Sequence, residues 1–312
     1  MTSFIEKSVN GMELNETTID MAGYKLVKVR GIPQNPTFNV NKFIDIIDNF
    51  VTKDGDVFVA TYVKAGTTWT QQIINQLLRK GEPGGNYTET VPWLEAAASE
   101  MLQPREMAHH TLDSINNLSA PRYFKTHATV SDLPRGKANI KVIYVARNPK
   151  DSMVSLYHHA KSKPEFGYTG DIQTFMNIFL SNQAENGSWF NHVIDWYNKC
   201  KAEPSTHLFL QYEEMYQNPA KAVKIIADFL CIDVTDDIIS NVVKNSSISE
   251  MRAVASNMAG LNHFRQGGYG NWRNVFTVSM NEFFDDIYAN KMKNTDLKFN
   301  FGPNAAGIDV FM

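Results

Sequence analysis

Residues 57–69 read VFVATYVKAGTTW, and this stretch decides the fold. Its first part, from Val57 to Val63, is a short apolar run rich in β-branched and aromatic residues, which predicts a buried strand. A polar turn follows, and from Thr67 to Leu78 the apolar residues recur at helical spacing. We therefore expect a strand that passes through a tight turn directly into a helix.

The same order of strand, turn and helix occurs twice more. Ile140 to Ala146 and His207 to Gln211 have the composition of buried strands, and a helical pattern follows each. In the third unit, Pro219 stands where a helix would begin, a position that proline favours. This alternation predicts a central, mostly parallel sheet with helices on both faces. Since no Pro/Gly/Ser-rich linker divides the chain, we expect a single α/β domain over residues 1–312.

The turn after the first strand has the features of a phosphate-binding loop. Gly66 lets the backbone approach an anion closely, and the N–H groups of the loop continue into a helix N-terminus. Lys64 adds a positive charge, and Thr67 and Thr68 add hydroxyl donors. Taken alone, an ordinary strand-to-helix turn explains the loop equally well. The loop is P-loop-like but not a Walker A loop, because the lysine precedes the glycine.

A second anion site is predicted after the second strand. Arg147 follows that strand, Asp151 is a candidate N-cap of the next helix, and Ser155 lies one helical turn further. An arginine fork with a hydroxyl suits a phosphate group, although a surface arginine beside a capping aspartate is the simpler interpretation of this segment alone. Ligands of parallel sheets bind beyond the carboxyl ends of the strands. Anion sites at adjacent strand ends therefore indicate a nucleoside ligand with phosphates at both ends.

Composition narrows the classes of partner. The net charge of −3 and the pI near 6.2 argue against nucleic acid and anionic membranes as partners. The first residues do not resemble a signal peptide, and no apolar run of about 18 residues occurs, so we expect a cytoplasmic protein. Cys200 and Cys231 are too few for a disulfide framework. The adjacent pairs His109–His110 and His158–His159 would diverge on a helix or strand, so we expect no metal.

Four segments carry the similarity: TYVKAGTTW at 61–69, KTH at 125–127, RNPKD at 147–151 with Ser155, and FRQGGYGNW at 264–272. Together they resemble the cytosolic sulfotransferases that use 3′-phosphoadenosine-5′-phosphosulfate (PAPS). The similarity runs from about Gly55 to Phe301, with the segments in the order of the family. It implies transfer of the sulfuryl group of PAPS to a hydroxyl, less readily an amine, of a small and partly apolar acceptor, with PAP as product. The matching segments are Thr61–Trp69 (TYVKAGTTW, for TYPKSGTTW), Lys125–His127 (KTH), Arg147–Asp151 with Ser155 (RNPKDxxxS) and Phe264–Trp272 (FRQGGYGNW, for RKGxxGDWK).

The resemblance implies where the cofactor binds. Val63 and Ala65 replace the proline and serine of the family, with little expected effect because the backbone does most of the phosphate binding. Gln266 replaces a lysine, which removes one cation from the 3′-phosphate at a cost of about 1–3 kcal/mol. The implied contacts are Lys64, Ala65, Gly66, Thr67 and Thr68 for the 5′-phosphate; Trp69, Tyr212 and Ser246 for the adenine; and Arg147, Ser155, Arg265, Gln266 and Gly267 for the 3′-phosphate.

The resemblance also implies catalytic roles. Sulfuryl transfer, like phosphoryl transfer, depends mainly on positioning and charge stabilisation. The acceptor hydroxyl must lose its proton as it attacks, and the resemblance places His127 as the base, with a structural histidine as the alternative. Lys64 would stabilise the leaving 5′-phosphate, and Lys125 would serve the sulfuryl oxygens.

Weaker similarities concern the acceptor and assembly. Trp93 lies in VPWLE, similar to a VPFLE segment that borders the acceptor pocket of the family, although a core tryptophan is equally compatible. His159 stands where relatives often carry an aromatic residue, and the loop Lys161 to Gly170 departs from the family pattern, so we expect an unusual acceptor. The segment Arg273 to Glu282 matches the spacing of KxxxTVxxxE, which implies a homodimer.

Other classes of protein remain as alternatives. A related small-molecule kinase would need a Walker A sequence, which is absent. A catalytically silent PAPS- or PAP-binding protein is compatible with Gln266, whereas retention of Lys64, Lys125 and His127 argues against it. A structural scaffold has no need of these anion-binding turns.

Overall fold

The structure is a computed structural model that describes residues 20–99, 111–134, 136, 138–257, 267–303 and 309–311. Its strands are β1 (Val27–Val29), β2 (Ile32–Gln34), β3 (Val57–Thr61), β4 (Tyr123–Thr126), β5 (Lys141–Ala146), β6 (His207–Gln211), β7 (Asn300–Pro303) and β8 (Asp309–Phe311). Its α-helices are α1 (Val40–Asn49), α2 (Thr67–Leu78), α3 (Tyr87–Thr90), α4 (Leu112–Asn116), α5 (Pro149–Ser162), α6 (Ile172–Leu180), α7 (Trp189–Ala202), α8 (Tyr212–Gln217), α9 (Pro219–Leu230), α10 (Asp236–Asn245), α11 (Ile248–Asn257) and α12 (Val278–Met292). Short 3₁₀ turns cover Leu94–Ala98, Pro164–Phe166 and Asn271–Asn274.

The central sheet is parallel, with the strand order β4-β3-β5-β6. In its register, Val59 of β3 lies between Lys125 of β4 and Ile143 of β5. Strands β1 and β2 form a separate antiparallel pair, as do β7 and β8. The predicted α/β fold around a mostly parallel sheet is confirmed.

Alternate side chains of β3 enter different hydrophobic cores. Phe58 and Ala60 belong to a core that includes residues of α5, α6, α7 and α12. Val57 and Val59 belong to a second core, which includes residues of α2, α9 and α10. Because side chains alternate between the faces of a strand, these cores lie on opposite faces and helices cover both.

The three strands predicted from apolar runs are present. β6 has the predicted bounds, while β3 ends at Thr61 rather than Val63 and β5 begins at Lys141 rather than Ile140. Pro219 begins α9, as expected. The sequence did not predict β4, because its four residues, YFKT, include a lysine and a threonine and form no apolar run.

The prediction that Asp151 caps α5 is wrong. The N-cap is Asn148, whose side chain accepts a hydrogen bond from the backbone N–H of Asp151, and Pro149 begins the helix. The short amide of Asn148 reaches the third residue of the helix, which is the usual geometry of a capping side chain. Asp151 therefore lies inside the first turn, and its carboxylate has other partners.

Candidate active site

The carboxyl ends of the four central strands bring the predicted site residues to one edge of the sheet. Lys64 follows β3, His127 follows β4, Arg147 follows β5, and Tyr212 follows β6. Since these strands are parallel, their following turns lie beside one another, at the usual ligand-binding edge of such a sheet.

The turn between β3 and α2 requires glycine. Gly66 has a left-handed backbone (φ 107°) and is the N-cap of α2, without a side-chain cap. A Cβ atom at this position would lie 2.7 Å from Cδ2 of Tyr212, so the turn packs against that ring. Ala65 is buried, and Thr67 and Thr68 open α2, where backbone N–H groups remain for an anion.

Arg147 joins three of the predicted cofactor-binding segments. Its Nη1 donates to the carbonyl oxygen of Lys64 (3.3 Å), and its Nη2 donates to that of Gly268 (3.0 Å). The guanidinium lies 4.7 Å from the ring centre of Tyr212. Its Nε is buried without a hydrogen-bond partner in the described part of the chain. A buried donor without a partner costs about 1–3 kcal/mol, and an anion bound at Nε would remove this cost.

The aromatic residues assigned to the adenine are neighbours. The rings of Trp69 and Tyr212 lie 5.5 Å apart at 72°, and Tyr216 stacks on Tyr212 with an interplanar angle of 24°. Ser246 is buried at the end of α10, where its hydroxyl donates to the carbonyl of Val242 (2.7 Å). The proton of Ser246 is thus engaged within its own helix.

Asp151 holds the glycine-rich segment in place. Its carboxylate accepts hydrogen bonds from the backbone N–H groups of Gly270 (2.6 Å) and Trp272 (3.1 Å). Gly267 has a φ of 72°, and a Cβ there would lie 2.6 Å from Ile248, so this turn is also restricted to glycine. Ser155 is half-buried on α5. Arg265 and Gln266 lie outside the described residues.

The imidazole of His127 is held in one tautomer and in its neutral form. Its Nδ1 lies 3.0 Å from the carbonyl oxygen of Thr61, and because a carbonyl only accepts, Nδ1 carries the proton and Nε2 a lone pair. Burial and the nearby Lys125 hold the pKa of His127 well below its usual range. The imidazole is therefore neutral at pH 7. The hydroxyl of Thr61 lies 2.7 Å from that of Thr67, which links the histidine to the phosphate turn.

The backbone of His127 is anchored by side chains distant in sequence. Its N–H donates to Oε1 of Glu95 (3.0 Å), a buried residue of the 3₁₀ turn Leu94–Ala98. Its carbonyl accepts from Nε2 of His192 (3.1 Å) and Nδ2 of Asn186 (3.3 Å). Because that carbonyl only accepts, Nε2 of His192 carries the proton, and its Nδ1 accepts from the hydroxyl of Tyr144 (2.8 Å). These anchors fix where the imidazole stands at the sheet edge.

Two lysines and a tryptophan surround the histidine. The ammonium of Lys125 lies 4.3 Å from the ring centre of Trp93, and that ring lies 5.8 Å from the ring of His127. Burial lowers the pKa of Lys64 and that of Lys125 to about 8, so both remain largely charged at pH 7. Nε1 of Trp93 is buried without a hydrogen-bond partner among the described residues.

The remaining predicted residues lie nearer the periphery. The ring of His159, near the end of α5, lies 5.4 Å from that of Phe166. In the proposed dimer segment, Val278 is 76% exposed and Arg273 donates to the carbonyl of Gly302 (3.2 Å). The role of His159 and the homodimer stay predictions.

The described residues contain neither a membrane-spanning helix nor a metal-binding cluster. Across residues 20–99, 111–134, 136, 138–257, 267–303 and 309–311, no helix is both long and apolar enough to cross a membrane. Within those same ranges, no group of three or more His, Cys, Asp or Glu side chains is arranged to hold a metal ion.

Comparison with known proteins identifies the family. The family model described as the sulfotransferase domain matches residues 54–296. Sulfotransferase 1B1 of Canis lupus familiaris is 31% identical over 297 residues, which cover 90% of this chain and 97% of that protein. Sulfotransferase 1 family member D1 of Mus musculus is 31% identical over 304 residues, with coverages of 91% and 98%. The chain therefore belongs to the sulfotransferase family, and the prediction of a sulfotransferase is confirmed.

Solved structures agree on the fold. Mouse sulfotransferase SULT7A1, solved in complex with PAP, has a TM-score of 0.71 and 28% identity, and the match covers 87% of this chain and 96% of that chain. A retinol dehydratase, solved with retinol and PAP, has a TM-score of 0.73 over 91% of this chain and 94% of its own. At 20% identity the second likeness concerns the fold alone.

Sequence reasoning missed several residues that shape the site. Thr61 lies in the segment Thr61–Trp69 and Glu95 in VPWLE, next to residues with assigned roles. Their positions in the sequence could therefore have marked both as site residues. His192 and Glu185 had no such signal. His192 lies on α7 and Glu185 in the connection before it, and only tertiary packing brings His192 and Asn186, the neighbour of Glu185, to the carbonyl of His127.

Proposed function

We propose that the protein transfers the sulfuryl group of PAPS to a hydroxyl of a small acceptor, with His127 as the general base. The observation that carries the proposal is the protonation state of His127. Its Nδ1–H donates to the carbonyl of Thr61, which leaves the lone pair on Nε2, and two ammonium groups stand nearby. The PAP complex of the similar mouse SULT7A1 supports PAPS as the donor.

The residues at the sheet edge fit a nucleotide with two phosphate groups. Lys64, the turn at Gly66 and the amino end of α2 suit the 5′ end, and the unpartnered Nε of Arg147 suits the 3′-phosphate. The adjacent rings of Trp69 and Tyr212 suit the adenine. Bound PAPS supplies the sulfuryl group and leaves as PAP.

The protein supplies a base and a positive field. Nε2 of His127 takes the proton of the acceptor hydroxyl, and Nδ1–H continues to donate to Thr61, which favours the imidazolium that forms. The ammonium groups of Lys64 and Lys125 stabilise negative charge that develops during transfer. Since both groups are buried and already in place, little reorganisation is needed during the reaction.

The test measures transfer of labelled sulfate from PAPS to a panel of phenols, alcohols and amines. We expect His127→Ala to lower kcat by about 10²- to 10⁴-fold, with PAP affinity by calorimetry changed less than about twofold. His207→Gln is the matched control, because His207 is a buried histidine at the amino end of β6, on the edge of the sheet opposite the site. It should transfer at the wild-type rate.

Each contrary result has a distinct meaning. Wild-type turnover in His127→Ala would remove the histidine as base. PAP binding without turnover on any acceptor would favour a catalytically silent binder. Neither binding nor turnover by the wild-type protein would contradict the proposal as a whole.

A further inference from the structure

Glu185 is a buried carboxylate that the proposed mechanism does not use. It lies in the connection between α6 and α7 and is 4% exposed. Its Oε1 accepts one long hydrogen bond, from Nδ2 of Asn35 (3.4 Å), and its Oε2 has no hydrogen-bond partner in the described residues. Burial of an acidic oxygen without a donor is costly, so this atom is a candidate for contact with a ligand.

The backbone holds Glu185 beside the proposed catalytic residues. The neighbouring Asn186 donates its Nδ2 to the carbonyl oxygen of His127 (3.3 Å). The carbonyl of Glu185 itself accepts from the hydroxyl of Tyr62 (3.0 Å), a buried residue that precedes the phosphate turn. These contacts hold the backbone around Glu185 close to that of His127, and the charges of Lys64 and Lys125 act on its carboxylate.

The electrostatic surroundings define what kind of group Glu185 lacks. Burial raises its pKa to about 7, and Lys64 and Lys125 oppose that rise because their positive charges favour the carboxylate. Neither lysine comes within the 4.0 Å of an ion pair with Glu185. At pH 8, where most of Glu185 is ionised, its charge is partly balanced at a distance, while Oε2 still lacks a hydrogen-bond donor.

A neutral hydrogen-bond donor suits Oε2 of Glu185 better than a cation does. A third ammonium group would meet the positive field of Lys64 and Lys125, whereas a hydroxyl adds a donor without adding charge. We propose that Glu185 selects acceptors that carry a second hydroxyl beside the reacting one, with Oε2 accepting its hydrogen bond. This specificity role rests on the proposed function, because it assumes that the acceptor binds next to His127.

The test compares acceptors that differ by one group. The pairs are catechol with phenol, a cyclohexanediol bearing neighbouring hydroxyls with cyclohexanol, and 2-(aminomethyl)phenol with 2-methylphenol. Binding is measured at pH 8 by calorimetry in the presence of PAP, and kcat/KM is measured at the same pH with PAPS. We expect the wild-type protein to favour each diol over its mono-alcohol by about 10- to 100-fold, and to show no preference for 2-(aminomethyl)phenol.

Two substitutions of Glu185 test the assignment. Glu185→Leu removes the acceptor atom at similar volume, and we expect it to bring the diol down to the level of the mono-alcohol, which itself changes less than about threefold. Glu185→Gln is closer in shape and should give an intermediate preference; it also carries the test if Glu185→Leu fails to fold. Glu165→Gln is the matched control, since Glu165 is half-buried in the turn Pro164–Phe166 and its charge reaches Glu185. It should keep the wild-type preference.

Other outcomes overturn the inference without affecting the proposed function. They are an absence of diol preference in the wild-type protein, an equal loss for both members of a pair in Glu185→Leu, or a preference for 2-(aminomethyl)phenol over 2-methylphenol. Failure of the proposed function shows differently, as absence of sulfuryl transfer to every acceptor. In that case the diol preference is still read from binding in the presence of PAP, and equal affinities for diol and mono-alcohol would overturn the role of Glu185.

Discussion

The proposed site has two halves, one for the cofactor and one for the acceptor, and the chain builds them differently. The cofactor half, made of Lys64, Gly66, Arg147, Tyr212 and Gly268, comes from turns and segments that contact one another. Gly66 packs against the Tyr212 ring, Arg147 lies over that ring, and Arg147 also binds the carbonyls of Lys64 and Gly268.

The proposed acceptor half comes from three separate segments of the chain and consists of Trp93, Lys125, His127 and Glu185. Its proposed base, His127, is anchored by hydrogen bonds to side chains remote in sequence. Trp93 and Glu185 each retain a buried polar atom without a partner among the described residues. The difference indicates that the two halves have separate roles. Changes in the cofactor half should alter PAP affinity for every acceptor, whereas changes in the acceptor half should alter rate and choice of acceptor at constant PAP affinity.

The largest expected effect on PAP affinity is that of Gly66→Ala. The new Cβ would meet the Tyr212 ring at 2.7 Å and would force alanine into a left-handed backbone, which alone costs about 1–2 kcal/mol. We expect PAP affinity, measured by calorimetry, to fall by about 100-fold or more, equivalent to about 2.7 kcal/mol. Gly31→Ala is the control, because Gly31 has a φ of 83° with no atom within 4 Å of a Cβ. Equal PAP affinity in Gly66→Ala and wild type would disprove the packing argument.

The next effect concerns the arginine of the cofactor half. Arg147→Lys keeps the charge but loses the planar fork that spans the carbonyls of Lys64 and Gly268. We expect a loss of about 10- to 100-fold in affinity for PAP and little change for adenosine 5′-monophosphate, which lacks the 3′-phosphate. Equal losses for both nucleotides would place Arg147 away from the 3′-phosphate.

A pH titration separates the two lysines. Burial lowers the pKa of each to about 8, so the charged fraction in the free protein falls as the pH rises through that value. Since phosphate groups are already ionised above pH 7, PAP affinity should fall by about tenfold between pH 7 and pH 10. Lys64→Arg should abolish this fall, because arginine stays charged, whereas Lys125→Arg should leave it in place. A fall that persists in Lys64→Arg would assign the titration to another group.

The smallest effect is expected at Asp151 of α5, which binds the backbone of the glycine-rich segment. Asp151→Asn weakens the hydrogen bonds to the N–H groups of Gly270 and Trp272, at a cost of about 1–2 kcal/mol in unfolding free energy. PAP affinity should fall only a few-fold, since Arg147 remains. Asp228→Asn on α9 is the control, because Asp228 is exposed and pairs with Lys224 on its own helix. An unchanged denaturation midpoint in Asp151→Asn would contradict this role.

The sequence alone predicted three of the four strands of the central sheet and most of the proposed cofactor half, because these depend on local patterns. An apolar run followed by a turn and a helical pattern specifies β3, β5 and β6, and the turn residues Lys64, Gly66 and Arg147 follow their strands directly. The parallel arrangement then brings those turns together. The resemblance to the sulfotransferases added His127 and Lys125, which no apolar pattern marked.

Tertiary structure decided what lies around the reacting group. β4 has no apolar run of its own, and its place beside β3 is set by the register that pairs Val59 with Lys125. The proton on Nδ1 of His127 depends on a carbonyl 66 positions away in the chain, and Asn186, in the connection between α6 and α7, donates to the carbonyl of the same histidine. Hydrogen bonds and packing between distant segments produce no periodic pattern in the sequence, because these contacts arise only after the sheet has formed.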